Sequence, residues 1–289
     1  MKRLASAGVF LIGLAASVIA ILEAWGRWKG PATADGRFAL AILSGFAGIL
    51  LLALTAQEFR YGRKSRYAEI LRDLGKVAHD LELVVADPQR GAADVQAVCK
   101  RVVDRLASIF SMASATKCAV CIKVLEGDPS AALEKVLRPK VKTLARDDSS
   151  EERDRRAAHV HHWVDQSTAF EEAATSGYFI SNYLPRLWSY KNSSFQAFGD
   201  PRNVNLPLVS ALVRDLTWTL PYKSTIVVAI RPQAPDAEHR LAGYLCLDSR
   251  SRGAFSSRYD VDIMVGVADC LYPLVQRYCE LAWAQGGPR

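Results

Sequence analysis

Two stretches without a charged side chain constrain this chain more than any other feature: residues 4–22 and 38–56, nineteen residues each. A helix rises about 1.5 Å per residue, so each stretch reaches about 28 Å, close to the hydrocarbon thickness of a bilayer. No water satisfies backbone groups at that depth, which leaves helix as the conformation. Met1-Lys2-Arg3 resembles the start of a secretory signal, and Ala32-Thr33-Ala34 resembles a cleavage motif. However, Glu23, Arg27 and Lys29 intervene, and the first stretch is long for a signal core. The expectation is an uncleaved hairpin of two transmembrane helices.

Orientation follows the basic residues. Lys2 and Arg3 precede the first span, Arg27, Lys29 and Arg37 lie between the spans, and Arg60, Arg63, Lys64 and Arg66 follow the second. The last cluster is the heaviest, so both termini are expected on the cytoplasmic side of the inner membrane. Trp25 and Trp28 suit an interfacial belt on the other side.

The chain has 289 residues and a net charge of +7. Residues 1–55 hold +3 of that excess and the remainder +4. The soluble part is only mildly basic, so charge gives no case for a nucleic-acid partner. The six cysteines, Cys99, Cys118, Cys121, Cys246, Cys270 and Cys279, sit in apolar periodic segments. They read as reduced core thiols rather than a disulfide framework. Cys118 and Cys121 have zinc or redox spacing, but on a strand residues three apart face opposite ways.

Beyond the spans, residues 57–86 read as one helix. Tyr67, Leu71, Leu74, Ala78, Leu81 and Val85 form an a/d seam, and Asp87-Pro88 ends it. This seam serves either a parallel homodimeric coiled coil or packing on the helix's own domain. A second helix starts at Asp94, with Val95, Val98, Val102, Leu106 and Ile109 on one face. Strand patterns cover 117–125, 141–145, 178–181, 225–230 and 241–247. Helix is expected over 151–174 and around 208–216. A last helix follows Ser257, with Val261, Met264, Ala268, Leu271, Val275 and Tyr278 on one face. No glycine-rich phosphate turn supports a Rossmann domain. The expected fold class is α+β, an antiparallel sheet with helices packed on one face. The division is a transmembrane hairpin 1–56, a juxtamembrane amphipathic helix 57–88, and a cytoplasmic domain 89–285.

The C-terminal third resembles the end of a GAF domain. The carriers are the run 241–249, LAGYLCLDS, then Ala254-Phe255, then Tyr259-Asp260-Val261-Asp262 leading into an apolar helix. The resemblance covers 90–282, and 146–222 is longer and more polar than a compact GAF domain. It implies an antiparallel sheet flanked by helices, a bound small molecule, dimerisation through the first and last helices, and a regulatory module rather than an enzyme. Cyclic-nucleotide GAF domains carry an Asn-Lys-Phe-Asp-Glu constellation. Lys223, Phe255 and Asp260 can be placed on it, but the Asn and Glu have no match, and no bilin-attaching cysteine is evident. The cofactor therefore stays unknown.

The ligand-contact candidates are Tyr178, Asn182, Tyr190, Asn192, Ser193, Lys223, Ser224 and Asp248. Aromatic faces, amides, hydroxyls and a lysine suit a planar or anionic ligand. Ordinary loop and cap chemistry is the competing account. Asp147-Asp148 reads as a solvated turn and cap rather than a cation site. His159 and His162 read as part of an exposed helix rather than a zinc site. No phosphate-binding loop, nucleophile elbow or kinase signature occurs, so no catalytic or metal residue is assigned. These features together describe a membrane-anchored cytoplasmic sensor or regulator. Its expected partners are the bilayer, a second copy, and a small molecule or output protein. The alternatives are a membrane scaffold without ligand and a signal-activated membrane effector.

Overall fold

The computed structural model describes residues 70, 72–77, 79, 91–127, 139–200, 215–232 and 240–286, all within the unit Lys64–Arg289. Both expected spans lie outside these residues. Among the described residues no helix is long and apolar enough to cross a membrane.

The elements in chain order are α1 (Ala92–Ser114), β1 (Cys118–Glu126), β2 (Lys140–Arg146), α2 (Glu151–Arg156), β3 (His162–Trp163), α3 (Thr168–Ser176), β4 (Tyr178–Ser181), α4 (Phe195–Phe198), β5 (Ser224–Ile230), β6 (Gly243–Ser249) and α5 (Tyr259–Gly286). The strands form one six-stranded sheet in the order β3-β2-β1-β6-β5-β4. Every neighbouring pair is antiparallel.

Side chains alternate across a strand, and here both faces are covered. Val120, Ile122, Val124, Ile226, Val228, Ile230, Leu245 and Leu247 pack with residues of α1 and α5. Cys121, Val227, Tyr244 and Cys246 face the other way and pack with Phe170, Phe179, Leu184 and Tyr190. The helices were expected on one face only. The polar middle of the chain folds over the second face, which is why β5 and β6 are buried throughout their lengths. Fully burying one such aliphatic side chain contributes about 1.5–3 kcal/mol.

The expected stripe of α1 is buried at Val95, Val98, Val102, Leu106 and Ile109. The helix begins two residues before Asp94, whose carboxylate accepts the Gly91 N–H at 3.1 Å. In α5, Val261, Met264, Ala268, Leu271 and Val275 are buried as the period requires. Gly243 opens β6 because nothing larger fits. A Cβ there would stand 2.1 Å from the Lys123 carbonyl oxygen on β1.

The expected helix over 151–174 is broken in three. α2 has no buried residue, so nothing extends it past its charged turn. The next segment gains more as an edge strand, Lys140 pairing with Trp163 and Val141 with His162, while Val160 and Val164 turn inward. Burial thus overrides helix propensity. Of the helix expected around 208–216, only Asp215 and Leu216 are described, and they are helical.

Of the long helix 57–86, residues 70, 72–77 and 79 are described and helical. Ile70 packs with Ile109 and Ala113, and Val77 joins the α1–α5 core. This stretch therefore packs on its own domain. Tyr67, Leu71, Ala78, Leu81 and Val85 of the seam fall outside the description.

Candidate functional site

On the second face of the sheet, the strands present Cys121 and Lys123 from β1, Thr225 and Val227 from β5, and Cys246 and Asp248 from β6 to one cavity. Arg146 at the end of β2 and His162 of β3 line one side, and Arg153 and Asp154 of α2 line it too. Phe170 of α3, then Tyr190, Asn192 and Tyr222 from the connecting loops, close the other side. The cavity measures about 60 Å³. At about 10–15 Å³ for one water-sized group, that is room for a few heavy atoms. A second cavity of about 190 Å³ is lined by Lys117, Arg156, Arg250, Glu152 and, shared with the first, Arg153, Phe198 and Pro221.

Most charges at the cavity are matched. Arg153 Nη1 lies 3.0 Å from Asp248 Oδ2, and Thr225 Oγ1 donates to Asp248 Oδ1 at 2.7 Å. The Arg153 guanidinium also lies over the Tyr222 ring, 5.3 Å from its centroid. Burial holds the Asp248 carboxyl above its ordinary value, against the opposing pull of Arg153 and Thr225. Arg146 Nε is 2.8 Å from Asp154 Oδ1; that contact is an ion pair by distance but is not aligned as a hydrogen bond.

Lys123 is the exception. It is 6 % exposed, and its Nζ donates to Thr143 Oγ1 at 3.4 Å. It has no carboxylate partner among the described residues. Around it, His162 is held neutral. Burial first, then the nearby Lys123 and Arg146 charges, push its imidazole down to about 3.

The opposite side carries hydroxyl donors. Asn192 Nδ2 donates to Tyr190 Oη at 3.1 Å and to Tyr222 Oη at 3.0 Å. Burial raises both phenols, so they stay protonated. Each phenol oxygen accepts from Asn192, and the two phenols also hydrogen-bond each other, which leaves one phenol proton to donate into the space. Ammonium, guanidinium and phenol donors around a small space suit an anionic group.

Of the expected contact residues, Tyr190, Asn192 and Asp248 line this cavity. The other five lie elsewhere. Tyr178 is exposed on β4. Asn182 clamps Phe255, donating to its carbonyl at 2.8 Å and accepting its N–H at 2.9 Å. Ser224 Oγ donates to the Asn182 and Ser251 carbonyls at 2.8 and 2.6 Å. Lys223 pairs with Asp215 at 2.9 Å. Ser193 is buried beside Asn192 without lining the space.

Two further readings are corrected. Asp147 is not solvated: it is 1 % exposed, and its Oδ1 accepts Val120 N–H at 2.7 Å and Ser150 Oγ–H at 2.6 Å. His159 and His162 share no helical face, because α2 stops at Arg156. Cys121, Lys123, Arg146, Arg153 and Cys246 were missed, whereas Tyr222 and Thr225 lie in the segment 221–225 that its aromatic and hydroxyl groups single out. One of them left a signal: Lys123 is a lone charge in the apolar run 118–125.

No family model matches the chain, and no curated protein matches it. Among solved structures it is similar to the GAF domain of an Acinetobacter phosphoenolpyruvate-protein phosphotransferase, with 12% identity, 76% of this chain and 98% of that chain covered, and a TM-score of 0.43. It is also similar to the GAF domain of a phosphoenolpyruvate-protein phosphotransferase from Coxiella burnetii, with 13% identity, 75% and 98% covered, and a TM-score of 0.42. A third is the type II free methionine-R-sulfoxide reductase from Thermoplasma acidophilum, with 16% identity, 64% and 96% covered, and a TM-score of 0.39. GAF domains predominate among such structures, and the six-stranded antiparallel sheet with flanking helices is the architecture that the sequence resemblance implied. The reductase corrects the expectation that the domain is not an enzyme: an enzyme is among the structures similar to it, so the resemblance gives no ground for excluding catalysis.

Proposed function

We propose that this domain is a sensory module that binds a small anionic molecule in the cavity over β1, β5 and β6. One observation carries the reading: Lys123 is a buried cation facing an open space, and it lacks a carboxylate partner among the described residues. An unpaired buried charge costs several kcal/mol (of order 3–5), so a site of this kind favours an incoming counter-charge. The two phenols and Arg146 surround the same space. About 60 Å³ limits the inserted part to a carboxylate- or phosphate-sized head. A longer or more highly charged body belongs in the adjoining cavity among Lys117, Arg156 and Arg250. The open space also favours a ligand over a pure scaffold, whose pocket side chains would fill it.

The module works tethered to the cytoplasmic face of the inner membrane. The support is in the sequence: two uncharged stretches, 4–22 and 38–56, and the cluster Arg60, Arg63, Lys64 and Arg66 after the second. Residues 57–86 join the tether to the domain, and part of that helix packs on α1. Ligand-dependent shifts of α1 therefore have a direct route to the membrane side, where a second copy or an output protein would read them.

The test uses the full-length protein in detergent and a panel of small carboxylates, phosphates and nucleotides. A ligand at about a hundred times its Kd raises stability by about 2.7 kcal/mol, readable as a thermal shift. The reading expects a shift with at least one anion and its loss in Lys123→Gln. If no anion shifts the protein, or if Lys123→Gln responds as well as the wild type, the ligand reading falls. Recovery of the full-length chain in the soluble fraction without detergent would remove the tether.

A further inference from the structure

β1 and β6 set Cys121 directly opposite Cys246, and both thiols line the cavity. Farther along the same ladder the Leu125 N–H donates to the Ala242 carbonyl at 3.1 Å. An antiparallel ladder alternates every two residues, so Cys121 and Cys246 are also a hydrogen-bonded pair, with Cα atoms about 5.5 Å apart. A disulfide spans Cα separations of about 4.4–6.8 Å. The Cα separation is therefore within a disulfide's reach, and the Cβ atoms, about 4.5–5.5 Å apart across such a pair, reach the bonded separation by a small local shift of the two strands. They are 3 % and 5 % exposed, and the cavity is what reaches them.

We infer that Cys121 and Cys246 form a reversible dithiol–disulfide couple, oxidised by small hydroperoxides that enter the cavity. The Cys121 thiolate attacks one peroxide oxygen. An S–O bond forms, the O–O bond breaks, and the departing oxygen takes up the proton released by Cys121 and leaves as water or alcohol. The Cys246 sulfur then attacks the sulfenic sulfur. The S–S bond forms, the S–O bond breaks, and hydroxide leaves with the Cys246 proton as water. Two thiols thus lose two electrons and the peroxide gains them. An external dithiol reverses the step by thiol–disulfide exchange.

The surroundings assign the two roles. A hydrogen bond from Cys246 is the largest influence lowering the Cys121 thiol. Burial opposes it, the Arg146 and Lys123 charges add to it, and Asp248 works against it. The Cys246 thiol is correspondingly raised. β2 sets Arg146 directly opposite Cys121, and this neighbouring cation marks Cys121 as the attacking thiol and Cys246 as the resolving one. The remaining buried thiols have no such setting. Cys99 and Cys279 lie in the α1–α5 core, where burial pushes them up to about 12 and about 11. Cys118 sits on the opposite face of β1 from Cys121. Cys270 is exposed and serves as the reference for unselective oxidation. A peroxide needs only a cavity of this size, so the inference stands whether or not an anion binds there.

The test treats full-length protein, in peroxide-free detergent, with limited hydrogen peroxide, blocks free thiols after unfolding, and maps tryptic peptides. The expected product joins the peptide 118–123 to the peptide 241–250, with Cys118 still alkylated, and dithiothreitol restores both free peptides. Cys246→Ser is expected to leave Cys121 as a sulfenic acid that dimedone captures, and Cys118→Ser to cross-link like the wild type. Full alkylation of Cys121 and Cys246 at a dose that oxidises Cys270 would overturn the inference. So would a cross-link to Cys118 in place of Cys121.

Discussion

Arg153 Nη1 lies 3.0 Å from Asp248 Oδ2, and this pair fastens the short helix α2 to the sheet. Both side chains are mostly buried, 17 % and 12 % exposed. Removing one partner of such a pair strands the other charge, at a cost of about 3–5 kcal/mol. Arg153→Met is therefore expected to lower stability by that order in urea unfolding. The double variant Arg153→Met/Asp248→Asn should recover much of the loss, since it strands no charge. If the double variant loses as much as the two single losses added, the two residues do not act as a pair.

His162 gives the fold a predictable acid sensitivity. Its imidazole is pushed from 6.5 down to about 3, chiefly by burial. As pH falls below 6.5, the unfolded chain takes up a proton that the folded chain refuses, and this shifts the balance toward unfolding. The contribution of His162 is thus present at neutral pH and is lost as pH falls from 6.5 toward 3. Thermal midpoints of wild type and His162→Gln should diverge across that window, the variant losing less. Parallel curves would mean that His162 titrates normally in the fold.

How much of this was legible in the sequence depends on which interactions are local. The strands at 178–181 and 225–230 and the stripes of α1 and α5 follow from period and apolarity, which a few neighbouring residues set. β3 was missed because His162 and Trp163 become a strand only by pairing with Val141 and Lys140, a decision made by distant residues. The cavity is similar. Cys121, Cys246 and Val227 meet through the register of three strands, and no sequence spacing encodes that. Composition did find Tyr190 and Asn192. It could not separate them from Asn182 and Ser224, whose polar groups are spent on Phe255, Ser251 and one another. Lys123 was legible in principle, as the lone charge in the apolar run 118–125.

Tyr244 shows a cost carried by the core. It is fully buried and stacks on Phe170, with ring centroids 4.6 Å apart. Its hydroxyl is buried with no hydrogen-bond partner among the described residues. An unsatisfied buried hydroxyl costs about 1–3 kcal/mol, and deleting it leaves the ring packing in place. Tyr244→Phe is expected to raise the urea midpoint by an amount equivalent to about 1 kcal/mol or more. A lowered midpoint would show that the hydroxyl makes a bond worth keeping.

Two glycines allow a paired measurement of close approach against chain flexibility. Gly243 opens β6 with its Cα side against β1, and an added Cβ would meet backbone at 2.1 Å, the Lys123 carbonyl, and at 3.0 Å, the Val124 Cα. Backbone cannot swing aside as a side-chain tip can, so the strands must separate where Lys123 begins the cavity floor. Gly243→Ala is expected to destabilise by more than about 3 kcal/mol, the upper range for overpacking. Gly266 is exposed on α5, and a Cβ there meets nothing within 4 Å. Gly266→Ala removes backbone freedom from the unfolded chain without a clash, and is expected to stabilise by about 0.5–1 kcal/mol. Chemical unfolding of the two variants beside the wild type should therefore move in opposite directions. Near-equal midpoints for Gly243→Ala and the wild type would mean that β6 does not approach β1 as closely as described, and the positions of Lys123 and Cys121 at the cavity would have to be revised with it.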